Sequence, residues 1–191
     1  VVIAYANDAT GYYGTAVVGT VSGTSISFGT PVVFESAVVS ETSATFDSNS
    51  NKVVIAYSDH GNSYYGTSIV GTVSGTSISF GTPVVFESAA STNIGSTFDS
   101  TNNKIVVAYR DGGNSDYGTA IVGTVSSTSI SFGTPVVFET ADTRETALAF
   151  DVSNSKVVIA YGDSGNSDYG TAIVGTVSGT SISFGTAVVF N

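Results

Sequence analysis

The sequence contains no cysteine, no methionine and no tryptophan, and only 10% of its 191 residues are charged. The absence of cysteine excludes disulfides, zinc–thiolate sites and cysteine nucleophiles. No apolar run reaches the length of about 18 residues that a membrane-spanning helix needs, and no signal peptide is visible. Because the chain starts at Val1 rather than at a methionine, we expect it to be a piece of a longer protein.

Basic residues are also scarce, since five lysines and arginines stand against fifteen acidic residues and the net charge is −10. A field of that sign repels phosphate backbones and anionic membranes, so we expect neither nucleic-acid binding nor membrane insertion. Cations, neutral glycans and basic protein surfaces remain as partners. Hydrophobic residues make up 41% of the chain, which predicts a folded domain despite the abundant serine, threonine and glycine.

What the chain does contain is one unit that recurs in tandem every 52 residues. Each copy starts with V-V-I-A-Y or a close variant, at Val1, Val53, Ile105 and Val157. The copies, here called units 1 to 4, cover residues 1–52, 53–104, 105–156 and 157–191. They contain no insertion or deletion, the last is cut short, and together we interpret them as a single repeat domain.

Each full unit is predicted to contain four β-strands, because β-branched and aromatic residues dominate and helical periodicity is absent. For one unit these strands fall at residues 45–47, 52–58, 65–74 and 77–87. The second strand is apolar without alternation, which predicts burial on both faces. A four-stranded unit of this length predicts an all-β fold of β-propeller blades, each stacked between its neighbours. A linear β-array is the alternative.

Two recurrent glycines carry structural predictions. The sequence S-G-T-S joins the third and fourth strands as a tight hairpin, with glycine at the first central position. Unit 3 has Ser127 at this place, which costs about 1 kcal/mol if the position requires a positive φ. The other glycine lies inside the third strand and predicts a bulge or close packing of neighbouring backbone. Its positions are Gly19, Gly71, Gly123 and Gly175.

The copies differ mainly in two segments, which we predict to be loops at the same end of the units. One joins the second strand to the third, at residues 7–12, 59–64, 111–116 and 163–168. The other joins the fourth strand to the next first strand, at residues 36–43, 88–95 and 140–147. Variation on one face of a constant scaffold is typical of a binding face, although loops also diverge without a functional reason.

The pattern D-x-G-N-S-x-Y in the first of these loops is the most specific one in the chain. Aspartate and asparagine close Asx turns, so a structural role explains it. The alternative is a set of carboxylates that binds Ca²⁺ or sugar hydroxyls, with the tyrosines as stacking surfaces. The candidate ligand-binding residues are Asp59, Asn62, Tyr65, Asp111, Asn114, Tyr117, Asp163, Asn166 and Tyr169. We expect no cofactor, with Ca²⁺ as the alternative.

We do not expect an enzyme, and we assign no catalytic or metal-binding residue. The segment that starts at Asp47, D-S-N-S-N, lacks the glycine and the distal glutamate of a calcium loop, so it predicts a β-turn. His60 has no counterpart in the other units. Paired carboxylates for glycoside hydrolysis remain an alternative, although nothing singles out one pair.

A strand that ends in F-D, a turn, K-V-V-I-A-Y and a hairpin leading into F-G-T-P-V-V-F follow one another along the repeats. This order resembles the blade of BNR, or sialidase-type, β-propellers. The Asp-box of that family, S-x-D-x-G-x-x-W, would fall at residues 73–80, where Gly75 replaces the aspartate. A sialidase also needs an arginine cluster, and the chain has only Arg110 and Arg144. The composition is similar to that of repeat arrays in microbial and viral surface or fibre proteins.

The four units do not complete a ring, because the chain enters at a second strand and leaves after a fourth. A longer array, a ring of several chains and a fibre stay open. We expect the open edge to pair with another chain or with neighbouring repeats. The predicted function is a non-enzymatic extracellular structural or adhesive module, in a surface layer, appendage or fibre of a cell or virion. A glycan-binding, lectin-like propeller that uses the variable loops is the alternative, and a divergent glycoside hydrolase a further one.

Overall fold

The structure, a computed structural model, describes residues 1–191, and most of them lie in antiparallel β-strands. The strands are β1 (Val2–Asn7), β2 (Tyr13–Ser22), β3 (Ser25–Phe28), β4 (Val32–Asp47), β5 (Lys52–Asp59), β6 (Tyr65–Ser74), β7 (Ser77–Phe80), β8 (Val84–Asp99), β9 (Lys104–Asp111), β10 (Tyr117–Ser126), β11 (Ser129–Phe132), β12 (Val136–Asp151), β13 (Lys156–Asp163), β14 (Tyr169–Ser178), β15 (Ser181–Phe184) and β16 (Val188–Val189). Three 3₁₀ helices of one turn lie at Asp8–Thr10, His60–Asn62 and Ser164–Asn166. None of the helices has the length and apolarity needed to cross a bilayer.

All strands belong to one open sheet whose pairing repeats from unit to unit. Its order is β1-β2-β4-β5-β6-β8-β9-β10-β12-β13-β14-β15, and β3, β7, β11 and β16 pair at its sides. In unit 2, β5 lies between β4 and β6, and β6 also pairs with β7 and with the start of β8. An all-β fold with a tandem repeat of strand pairing is therefore confirmed.

The loops predicted at residues 36–43, 88–95 and 140–147 are wrong. These residues lie inside β4, β8 and β12, which are 16 residues long each. The first part of β8 pairs with β6 of its own unit, and the second part pairs with β9 of the next unit. The register shifts between Thr92 and Gly95, where Asn93 has a φ of 50°. A bulge therefore lets one continuous strand pass from one unit to the next.

The predicted fourth strand, residues 77–87, is interrupted. It forms β7 and the start of β8, separated by Gly81, Thr82 and Pro83. Pro83 has no backbone N–H and cannot take part in a ladder as a donor. The Gly81 N–H donates to the Val70 carbonyl at 2.9 Å, and its Cα packs against Thr128 of the next unit. Both pieces still pair with β6, so the strand bends but stays in the sheet.

The core lies between successive units, whose apolar faces pack together in three clusters. Between units 2 and 3, Val54 and Val70 pack in one cluster with Val107 and Ile121. Phe86 belongs to the same cluster, and its ring centroid lies 5.2 Å from that of Tyr109. The central residues of β5 and β9 are buried on both faces, which confirms the prediction from their unbroken apolar sequence.

Of the predictions made for the two recurrent glycines, one is confirmed and one is wrong. Gly23, Gly75 and Gly179 have φ values of 59°, 60° and 61°, and Ser127 has 56°, so the hairpin turn requires a positive φ in all four units. Inside the third strand, the β5–β6 ladder ends at Gly71 and the β6–β7 ladder begins there, with no register shift in either, so the predicted bulge is wrong. A Cβ at Gly71 would lie 2.8 Å from Ile78 Cδ1, so this glycine makes room for a side chain rather than for neighbouring backbone.

Candidate functional site

The variable segment between the second and third strands is a true loop with a left-handed backbone. In unit 2 the 3₁₀ helix His60–Asn62 is followed by Ser63 and Tyr64, with φ values of 55° and 64°. The Tyr64 N–H donates to the Asp59 carbonyl at 2.8 Å and closes the loop. Consecutive left-handed residues without glycine are strained, so this conformation is held by the strands on either side.

The aspartates of the predicted site, Asp59, Asp111 and Asp163, are all buried. Oδ1 of Asp111 accepts a hydrogen bond from Gly113 N at 2.9 Å, and Oδ1 of Asp163 accepts one from Gly165 N at 2.9 Å. The Asx turns are therefore confirmed in units 3 and 4. In unit 2 no such bond forms, and Oδ1 of Asp59 is buried without a partner.

The structure brings the predicted residues together within each unit. Asp59 lies directly across the ladder from Tyr65, Asp111 from Tyr117, and Asp163 from Tyr169. Tyr65 and Tyr117 are half-buried, while Tyr169 and the three asparagines Asn62, Asn114 and Asn166 are exposed. Each loop thus combines an exposed asparagine with a buried aspartate and with the tyrosine that pairs with that aspartate across the ladder.

A second set of repeated carboxylates was missed from the sequence. The Tyr109 hydroxyl donates to Glu87 Oε2 at 3.1 Å, and Tyr161 donates to Glu139 Oε2 at 3.1 Å. The Tyr57–Glu35 pair has the same arrangement at 3.4 Å, so every junction between units contains one such bond. The sequence signal was a glutamate followed by a tyrosine 22 residues later at each junction.

The surroundings of these pairs raise the pKa of their tyrosine hydroxyls. Burial raises the pKa of the Tyr109 hydroxyl far above its ordinary value, and the nearby carboxylates of Glu87 and Asp111 raise it further. Tyr57 and Tyr161 have their pKa raised in the same way, by burial first and then by their own glutamates. Burial and the charge of Asp111 also raise the pKa of the Glu87 carboxyl. Each junction therefore contains a tyrosine that strongly favours its protonated form.

The last residue of this loop differs in chemical type between units. Units 1 and 2 place the half-exposed Tyr12 and Tyr64 at the position where units 3 and 4 have Asp116 and Asp168. The Tyr64 ring centroid lies 4.4 Å from that of His60. The pattern that all copies share did not point to these tyrosines, because only two units carry them.

In unit 3 the same position belongs to an ion-pair network. Arg110 Nη2 lies 2.7 Å from Asp116 Oδ2, and Arg110 Nε lies 2.5 Å from Asp142 Oδ1. Arg144 contacts the other oxygen of Asp142 at 3.3 Å. The hydrogen bond from Arg110 and the charges of both arginines lower the pKa of the Asp142 carboxyl. The two arginines therefore make contacts between neighbouring segments of this chain.

The other acidic pattern is a turn, as predicted. Asp47 Oδ1 accepts hydrogen bonds from Asn49 N and Ser50 N, at 2.9 Å and 3.0 Å. Asp99 and Asp151 cap their turns in the same way. The structure contains no group of three or more histidine, aspartate or glutamate side chains placed to hold a metal ion.

One cavity, of about 420 Å³, lies away from the loops, beside β1. Its lining includes Val1, Val2 and Val18 together with Thr45, Phe46 and Val73.

Comparisons with protein-family models, with curated proteins and with solved structures find no match to this chain.

Proposed function

We propose that the chain is a non-enzymatic, extracellular structural or adhesive module of a surface layer, appendage or fibre. In this proposal its units are four-stranded propeller blades of the sialidase type, without the catalytic arginine cluster. The observation that supports it is the repeated junction between units. The residues that the copies share are mainly those that pack one unit on the next, so the shared sequence has a scaffold role.

The junction accounts for the constancy of the hairpin and fourth strand. Gly29, Gly81 and Gly133 lie against the threonine carbonyls of the following unit, where a side chain would not fit. Phe34, Phe86 and Phe138 each pack against a tyrosine of the next unit, with tilted rings whose centroids lie 5.2 Å apart. The residues that the copies share therefore serve the packing of units, and a binding role falls to the loops, where the copies differ.

Location is the direct test of this proposal. Antibodies raised against the chain are expected to label the outer surface of intact cells or virions of its source. Permeabilisation should not increase the signal. Label that appears only after permeabilisation would overturn the extracellular role. Turnover of a panel of fluorogenic glycosides by the purified chain would overturn the non-enzymatic part of the proposal.

Glycan binding is the second candidate, and the loop tyrosines Tyr12 and Tyr64 favour it. Tyr12 and Tyr64 are each about half exposed, and an exposed aromatic ring suits stacking on a sugar ring. The Tyr64 ring also packs beside His60, whose Nε2 lies 2.9 Å from Ser40 Oγ. These contacts orient the aromatic ring before any ligand arrives.

A glycan array with and without Ca²⁺ tests this second candidate. Binding should be lost in the double variant Y12A/Y64A and kept in Y64F, which retains the ring. The triple variant D59N/D111N/D163N tests the role of the loop carboxylates, with circular dichroism as the check on folding. No binding to any glycan under either condition would rule the candidate out.

A further inference from the structure

We infer that a second copy of this chain docks head to tail, with the last unit of one copy against the first unit of the next. The docking surfaces are two apolar faces at the ends of the array. The leading face consists of Val1, Ile3, Val21, Ile26 and Phe28 in unit 1. The trailing face consists of Val158, Ala172, Val174, Gly185 and Phe190 in unit 4. Together they reproduce the two halves of the junction that occurs three times inside the molecule.

The leading face exposes residues that every other unit buries. Ile26 is 45% exposed, whereas its equivalents Ile78, Ile130 and Ile182 are 5%, 3% and 3% exposed. Phe28 is 53% exposed, while the equivalent Phe80 packs against the core between units 1 and 2. In units 2, 3 and 4 the equivalent residues are buried because they pack against the surface of the preceding unit.

The trailing face shows the opposite half of the same pattern. Val174 is 45% exposed, whereas the equivalent Val70 and Val122 are fully buried. Phe190 is 64% exposed, and its equivalents Phe86 and Phe138 are 6% and 8% exposed. The strand β14 accordingly alternates between buried and exposed residues, although its equivalents β6 and β10 are buried without alternation.

The fit of the backbone at the junction glycines supports docking of the two copies in the register of the internal junctions. A Cβ added to Gly81 would overlap the Thr128 carbonyl oxygen, and Gly29 and Gly133 meet Thr76 and Thr180 in the same way. At Gly185 the nearest atom to an added Cβ is the Val174 carbonyl oxygen, at 3.8 Å. The place opposite Gly185 is therefore open to a threonine carbonyl, and the equivalent residue of a second copy is Thr24.

The tyrosine–glutamate pair of the internal junctions also has one counterpart at each end of the array. Tyr5 stands 52 residues before Tyr57, and Asn191 stands 52 residues after Glu139. In the proposed contact the Tyr5 hydroxyl faces Asn191 of the preceding copy, which offers an acceptor in place of the glutamate. Asn191 Oδ1 now accepts a hydrogen bond from Gly170 N, at 2.6 Å.

For residues 1–191, a second copy supplies the partner surface, because the surface needed on each side is one that these residues themselves carry. The two faces differ, so the contact is heterologous, and copies either close into a ring or continue as a fibre. The inference concerns assembly and does not depend on where the module is located. Localisation and assembly are tested by separate experiments, so either can fail alone.

Sedimentation velocity over the micromolar range tests the docking. The unaltered chain is expected to form dimers and larger species as its concentration rises. Ile26→Glu should block the leading face, and Val174→Glu should block the trailing face, so that each variant alone stays monomeric. A mixture of the two variants should form dimers and nothing larger, because one intact face of each remains.

Val85→Glu is the matched control, since Val85 is an exposed valine on β8 of an interior unit. It should associate like the unaltered chain, and circular dichroism should show equal folding of all variants. A monomeric unaltered chain throughout the range would overturn the inference. Association of Ile26→Glu on its own would overturn it as well, because that result requires a contact other than head to tail.

Discussion

Tyr109 keeps its hydroxyl proton in a place where ionisation is costly, between the core and the Glu87 carboxylate. Tyr57 and Tyr161 do the same at the other two junctions. In the unfolded chain these tyrosines ionise near their ordinary pKa of 10.0, whereas in the folded chain the pKa is higher. The stability that they contribute is therefore fully present below about pH 10 and is lost as the pH rises above that value.

The variant Y109F is expected to reduce this alkaline loss. At neutral pH it should lower the free energy of unfolding by about 1–2 kcal/mol, because one hydrogen bond to a carboxylate disappears. Between about pH 9 and pH 11 its stability should fall less steeply than that of the unaltered chain. Urea unfolding across this range measures the effect. The half-exposed Tyr64 provides the control, since Y64F should keep the original slope, and equal slopes for all three proteins would contradict the prediction.

The hairpin glycines and the Asx turns were predictable at this scale because they depend on four or five consecutive residues. The tyrosine–glutamate pairs were not, although they recur as regularly as the glycines. Their two members lie on different units, as Tyr57 and Glu35 do. Their contact depends on how far one unit is offset from the next, and the repeat length contains no information on that offset.

At the scale of the strand, the same sequence has two burial patterns. Lys52–Asp59 and Lys156–Asp163 are nearly identical, yet β5 is buried on both faces and β13 alternates between buried and partly exposed residues. The apolar run predicted the two-sided burial, while the neighbouring unit decides whether it is realised. The long strands β4, β8 and β12 could not be predicted, because residues such as those at 36–43 are rich in serine and have no apolar alternation. Pairing to two different units holds them extended.

Glycines at matched positions measure what one junction contributes. Gly81→Ala should lower the free energy of unfolding by at least about 2 kcal/mol, because its Cβ would displace the Thr128 carbonyl. Gly185→Ala should stay within about 0.5 kcal/mol of the unaltered chain, because its Cβ has space. Urea titration at low protein concentration compares them. Equal losses at both positions would show that the link between the two strand pieces itself needs glycine, independently of the junction.

The cavity beside β1 allows a prediction about strand addition. In unit 2 the second half of β4 pairs with β5, so that Thr45 lies opposite Val54 and Phe46 opposite Val53. β1 has the same type of sequence but pairs only with β2. A peptide with the sequence of residues 40–51 should therefore add to β1 and place its phenylalanine over Val1.

Isothermal titration calorimetry is expected to show saturable, one-to-one binding of this peptide to the intact chain. A scrambled peptide of the same composition is the control and should not bind. Equal heats for the two peptides, or no heat for either, would contradict a strand-accepting groove. Binding of the peptide should leave the loop tyrosines Tyr12 and Tyr64 accessible, because they do not line the cavity.

At the scale of the whole molecule, the proposed docking uses between chains the same apolar interaction that packs neighbouring units within one chain. Each internal junction buries two apolar faces against each other. The two end faces expose residues equivalent to those buried ones. Charge opposes their contact, because every copy has a net charge of −10. Assembly therefore depends on the balance between apolar burial at the ends and repulsion between whole copies.

Salt is expected to shift that balance towards assembly. The screening length falls from about 10 Å in 0.1 M salt to about 3 Å in 1 M salt, so repulsion between copies weakens while apolar contact does not. Sedimentation at fixed protein concentration should show larger species as sodium chloride rises, and sulfate should strengthen the effect at equal ionic strength. The variant Ile26→Glu should remain monomeric in both salts. Dissociation on adding salt would instead indicate that ion pairs, such as those made by Arg110 and Arg144 within the chain, hold the copies together.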